Sequence, residues 1–232
     1  MNVFNSLEHA THVPWVIWSA LFASALLLLS GLLVRGRLVA AQGGLVPDAG
    51  LSLRNVLELL VEMLTSLAEQ NMGPHWRKYF PIIGTLFFFI LISNLIGLVP
   101  GFAGATSSAD TTWAWATISF VMHQYVGIRE HGFGYVNHFL GPRFTKYRLP
   151  LLVFPYAPIE MITHLSRVFT LAIRLLANMF ADHAVVGVWL LLVPAVVPAI
   201  FMGLGVVVAV LQAYVFALLS MIYIGLALEE SH

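Results

Sequence analysis

The sequence predicts an all-α polytopic membrane protein with five membrane helices and an added amphipathic helix. Three observations predict it. Apolar residues make up 59% and charged residues only 9% of the 232, against about 25% charged in soluble domains. Five apolar stretches are long enough to span a bilayer. The Lys and Arg residues outside them gather in alternate connections.

The first span covers about 14–34. No Lys or Arg precedes it, and Arg35 and Arg37 follow directly. That is the reverse of a secretion signal's charged leader, so the stretch reads as a retained helix with its N-terminus outside. The second span, PIIGTLFFFILISNLIGLVP, covers about 81–100 and the third about 112–128. Two longer apolar stretches follow, 150–193 and 199–228, separated by Pro194 and Pro198, which suit a tight turn between antiparallel helices. The whole chain, 1–232, reads as a single membrane domain without internal repeats.

Between the first two spans, about 52–71 is patterned as an amphipathic helix. Leu53, Val56, Leu57, Leu60, Leu64 and Leu67 recur at helical spacing, and Gly73-Pro74 stops it. Such a helix either lies on the membrane or a partner, or packs on the ends of the other spans.

Charge bias sets the orientation. Arg35, Arg37, Arg54, Arg77 and Lys78 lie between spans one and two, and Arg129, Arg143, Lys146 and Arg148 between spans three and four. The remaining connections carry no Lys or Arg. The basic loops are therefore cytoplasmic, with the N-terminus outside and the C-terminus inside.

The fourth stretch presents a length problem. A helix starting near Pro158, because Pro155 and Pro158 interrupt anything earlier, runs roughly 54 Å to Val193. The hydrocarbon core is about 30 Å thick. Either the helix is steeply inclined or it breaks near its polar residues.

Those polar residues are Glu160, His164, Arg167, Arg174, Asn178 and Asp182. At about 100° per residue they fall within roughly 40° of one line, with His183 to one side. Ionisable groups inside a membrane are costly and mark ion or proton pathways. Arg174 lies among Leu171–Ala177 with no carboxylate on the first three spans to match its depth, which implies an acidic partner on another chain. Glu160 and His164 fall toward the cytoplasm, Asn178, Asp182 and His183 toward the outside, and Gln212 roughly level with Arg174. Two aqueous half-paths separated by a fixed cation would fit this order. Each polar group also has a plainer reading: His164 and Glu160 as interfacial residues, Asn178 and Gln212 as interhelical hydrogen-bonding residues. His123 and Gln124 read as interfacial, Asn94 as bonding a neighbouring helix, and Asp110 as a loop residue.

Other chemistry is missing. There is no HExxH, GxSxG or phosphate loop, so no metal, cofactor or catalytic residue is expected. Balanced charge, 11 basic and 11 acidic residues, argues against nucleic acid, and the lack of Cys excludes disulfides and thiolate chemistry.

At RLLANMFADH, Arg174–His183, the sequence resembles the a subunit of the membrane sector of F-type ATP synthases, the ATPase A chain family. LQAYVFALLSMIYIGLALEE resembles the family's closing helix, and SNLIGLVP its second-span signature. SADTTWAWA and GFGYVNHFLGP resemble family segments in the same order. The resemblance implies a proton-conducting stator subunit, not itself catalytic, in a bacterial plasma (inner) membrane. Its partners would be a rotor ring of c subunits with mid-membrane carboxylates, peripheral-stalk b subunits, and the rest of the synthase. Arg174 matches the arginine that meets the rotor carboxylate; Asn178, His183 and Gln212 match the outer half-channel; Glu160 and Thr163 match the cytoplasmic side. It also implies that the last two helices are strongly inclined. Leu176-Ala177 and Asp182 depart from the family pattern, and Gly205 stands where some relatives carry a titratable group. An Asp182–His183 outer relay is the expectation here. A sodium-translocating version of the subunit, or a stand-alone secondary transporter with the polar line as solute site, are the alternatives.

Overall fold

The computed structural model describes residues 3–40, 52–99, 101–132, 150–193 and 196–229, with side chains except at 36–40, 53, 131, 150–157, 160, 161 and 229. Among the described residues all regular structure is helical: α1 (Val3–Thr11), α2 (Trp15–Ala40), α3 (Leu53–Met72), α4 (Trp76–Leu98), α5 (Ala109–His131), α6 (Pro150–Leu192) and α7 (Val196–Glu229). Short 3-10 turns occupy Gly73–His75 and Ala105–Ser107. Arg143, Lys146, Arg148, Pro194, Glu230 and the GFGY run beyond Gly132 lie outside the described residues.

Among the described residues four stretches are long and apolar enough to cross a membrane: Trp15–Arg35, Arg54–Leu98, Ile162–Leu192 and Val196–Leu228. Helix α5 is not among them. Asp110, His123, Gln124, Arg129 and Glu130 dilute its apolar content, and Ala116, Ser119, His123 and Val126 are buried by neighbouring helices. The short helix α1 was not expected. Phe4 anchors it in an aromatic group with Phe22 and Phe102, and Val3 N donates to Gly101 O at 2.9 Å.

Local chemistry bounds α3. Ser52 caps it by accepting from Asn55 N at 3.2 Å, and Gly73, at φ 59°, ends it. Its Leu64, Ala68 and Met72 are buried in the core shared with α4 and α7. Val56, expected on the same apolar stripe, is exposed. The buried apolar residues of α3 thus lie in the C-terminal half, while Arg54 in the first turn is buried too, with its Nε 2.7 Å from Glu58 Oε1. At its end the Asn71 carbonyl comes so close to Gly225 of α7 that a Cβ there would collide with it.

Two boundaries correct the expectations. Helix α6 begins at Pro150 rather than near Pro158 and runs unbroken for 43 residues, carrying Pro155 and Pro158 inside it. Each interior proline removes a backbone hydrogen bond, which bends a helix without having to end it. At 1.5 Å per residue α6 is roughly 64 Å long, and no break occurs at the polar residues. Helix α7 starts at Val196, with Pro198 in its first turn. A first-turn N–H has no intrahelical acceptor, so proline loses little there.

Helices α6 and α7 form an antiparallel pair in one register. Trp189 stacks on Phe201 (centroids 5.8 Å), Asn178 bonds Gln212 (2.6 Å), and the Arg167 guanidinium lies over Tyr223 (4.8 Å). These contacts recur at eleven-residue steps on both helices, about three turns, so the same faces meet again. Ala209, Ala213 and Ala217, all buried, keep the packed face of α7 small and let its neighbours approach. Helices α4, α5 and α6 close the core around it, with Phe87, Leu171, Leu175 and Phe216 as its bulk. Helix α2 stands at the edge, with Leu28, Leu32 and Leu33 exposed.

Candidate ion path

The polar residues of α6 do not face one environment. His164 is buried together with Val168, Leu171, Leu175 and Met179, whereas Arg174 is exposed. Helical geometry explains the split: the two directions differ by about 80° at 100° per residue. Glu160 lies within α6, and its side chain is outside the described residues. Beside Arg174 the open face holds Thr163, Ser166 and Thr170, whose hydroxyls donate to the backbone oxygens of Ile159 (3.0 Å), Thr163 (2.7 Å) and Arg167 (3.1 Å). Ile162, Phe169, Ile173 and Phe180 are also exposed, on the adjoining side of α6, about 100–140° from Arg174 at 100° per residue. Among the described residues no carboxylate lies within ion-pair distance of Arg174. Ser166 and Thr170 were not singled out from sequence, because hydroxyls bonded to their own helix are common in apolar segments.

One turn further along α6, Asn178 Nδ2 donates to Gln212 Oε1 across the α6–α7 interface. Gln212 is thus level with Asn178 rather than with Arg174, because the helix register is centred past Pro194. Gln212 is 5% exposed, and its amide nitrogen has no partner among the described residues.

Asp182 and His183 line an open cavity of about 370 Å³. Gly97 of α4, Phe102 and Ser107 of the following loop, and Trp15 of α2 form its other walls. His183 Nε2 lies 2.9 Å from the Gly97 carbonyl oxygen. The loop is pinned by the SNLIG run. Ser93 Oγ accepts from Thr106 N (3.1 Å), Asn94 Oδ1 accepts from Thr106 Oγ1 (2.6 Å), and Ser19 Oγ donates to Ala103 O (2.7 Å). Asn94 therefore bonds the 3-10 turn of the loop rather than another long helix. Ser107 Oγ is buried without a partner among the described residues. Gly205 is buried, and a Cβ there would meet Leu98 Cδ2 at 2.6 Å, so apolar packing occupies the space.

The N-terminal half of α6 meets a second polar group. His123 of α5, expected at an interface, is 3% exposed, with its ring centroid 5.6 Å from that of His164 and 6.3 Å from that of Tyr223. His123 lies about two turns before the end of α5, packed between α6 and α7, whereas Ile128, Arg129 and Glu130 beyond it are exposed. Ser119 and Ser220 hydrogen-bond at 2.7 Å in the same α5–α7 contact. Because α6 is unbroken, His164 and Asp182 stand about 27 Å apart along it.

The family model for the ATP synthase A chain matches residues 16–225. ATP synthase subunit a 1 of Syntrophotalea carbinolica is 43% identical over 231 residues, 99% of this chain and 89% of the relative. ATP synthase subunit a of Citrifermentans bemidjiense is 41% identical over 237 residues, covering 100% and 97%. That of Bdellovibrio bacteriovorus is 37% identical over 203 residues, covering 87% and 86%. With a family match over most of its length and such relatives across nearly all of it, the chain belongs to the ATP synthase A chain family.

Proposed function

We propose that this chain is the proton-conducting stator subunit of a bacterial F-type ATP synthase, not catalytic on its own, in the inner membrane. The observation that carries the reading is Arg174: exposed on α6 within a long apolar segment, with no carboxylate beside it among the described residues. A cation left in hydrocarbon is costly. A mid-membrane carboxylate carried by a ring of c subunits would relieve that cost, with Thr163, Ser166 and Thr170 beside the same contact. Peripheral-stalk b subunits and the remaining synthase subunits would hold the chain against rotation.

In this reading α2, α4, α5, α6 and α7 cross the membrane, with the N-terminus outside, and α6 and α7 lie steeply inclined. Their lengths, roughly 64 and 51 Å by the helical rise, exceed a 30 Å core and favour tilt. Protons enter from outside through the cavity at Asp182 and His183 and pass Asn178 and Gln212 to the rotor carboxylate. After rotation they leave past Glu160, Thr163 and His164 toward the cytoplasm. Arg174 separates the two half-paths, because a fixed cation repels a proton moving directly between them.

ATP-driven proton pumping in membrane vesicles tests the reading. The Arg174→Ala variant should assemble with its complex and lose coupled pumping. Normal coupled pumping in that variant would overturn the mechanism.

A further inference from the structure

We infer that the Gly97 backbone carbonyl fixes the tautomer of His183, making Nδ1 the single ring atom that takes and gives up the transported proton. The inference deepens the proton-path reading of His183 and rests on it. Its starting point is a contact of 2.9 Å between His183 Nε2 and Gly97 O, joining α6 to the end of α4. A carbonyl oxygen has lone pairs and no hydrogen, so Nε2 must be the donor. In the neutral ring only one nitrogen carries hydrogen, which leaves Nδ1 bare and basic.

This limits how the ring can pass a proton. A proton arriving on Nδ1 gives an imidazolium with N–H at both positions. Release from Nε2 would require an acceptor there, and a peptide carbonyl is too weak a base to take the proton. The proton must therefore leave again from Nδ1, while the Nε2–H bond to Gly97 O persists throughout. His183 stores a proton at one atom and does not conduct it through the ring.

A Cβ at Gly97 would come within 2.6 Å of Met179 Cε, the far end of a flexible side chain on α6, and 3.3 Å of Gly104 N, a backbone atom. Helices α4 and α6 meet closely at this level, and the closeness brings the carbonyl within reach of the ring. Gly97 is thus a positioning residue acting through its backbone.

Nitrogen NMR of the assembled complex in lipid, with ¹⁵N-labelled histidine, tests the assignment. The His183 resonances are those lost in His183→Gln. At a pH where the ring is neutral, the nitrogen coupled to both ring C–H protons, Nε2, should be the protonated one, and Nδ1 should resonate as bare nitrogen. Protonation on Nδ1, or a mixture of tautomers, would overturn the inference. Proton flux in His183→Gln addresses the parent reading separately. Unchanged flux would discard the relay while leaving the tautomer assignment standing or falling on its own spectrum.

Discussion

Asn178 on α6 donates its side-chain amide to Gln212 Oε1 on α7 at 2.6 Å, and this is the central of three contacts that hold the two longest helices in register. The bond leaves the Gln212 amide nitrogen buried without a partner among the described residues, one turn from the level of Arg174.

Removing either partner orphans the other. Asn178→Ala should destabilise the subunit by about 1–3 kcal/mol, the penalty for an unpaired buried amide. The Asn178→Ala/Gln212→Ala double-mutant cycle should return a coupling of about 0.6–1.7 kcal/mol, the range of interhelical bonds in membranes. Thermal unfolding in lipid discs measures both, and additive effects would mean that the bond contributes nothing.

Asp182 lines the cavity beside His183. Asp182→Asn keeps its shape and removes its charge. ATP-driven proton pumping should fall, and its dependence on the pH at the cavity side should change. If neither moves, Asp182 is only a wall residue.

The Gly225–Asn71 contact is backbone against backbone, so no side chain can yield. Gly225→Val should push α3 from α7 and destabilise by about 1–3 kcal/mol, as overpacking does. A smaller shift for Gly225→Ala than for Val, read as the melting temperature of the assembled complex, checks the steric origin.

Helices α4 and α5 are tied at one end by Lys78 Nζ–Glu130 Oε1 at 2.7 Å, with Tyr79 OH also donating to the same oxygen at 3.0 Å. The hydrogen bond from Lys78, then that from Tyr79, holds the Glu130 carboxyl below its ordinary 4.5. A depressed carboxylate contributes stability above the unfolded value and loses it as pH falls through the folded one. Glu130→Gln should therefore weaken the α4–α5 tie at neutral pH only slightly, because the pair is solvated. The difference from wild type should vanish on acidification well below 4.5. A difference that grew on acidification, measured by amide exchange at the ends of α4 and α5, would contradict the sign.

Much of the molecule was legible because the membrane makes few kinds of residue conspicuous. Arg174 stood out through the cost of a cation among leucines, and the SNLIGLVP run through resemblance. What that run does was hidden. Ser93 and Asn94 clamp Thr106 of the loop, and Gly97 meets His183 some 86 residues away, a contact that depends on how α4 crosses α6. The burial of His123 beside His164 and Tyr223 was hidden for a similar reason: it depends on which helices pack against α5. Helix α1 is amphipathic but only nine residues long, too short to stand alone, and the burial of Phe4 and the Val3–Gly101 hydrogen bond hold it in place.

The linear chain by itself determined which segments are apolar helices, where the titratable groups fall along α6, and the family, since these depend on residue type, spacing and local periodicity. Only the tertiary structure decided that α6 is unbroken, that His164 turns inward while Arg174 turns outward, and that Asp182 and His183 share a cavity with the end of α4. Burial depends on which neighbour covers each side of a helix, and that is settled by long-range packing between helices distant in sequence.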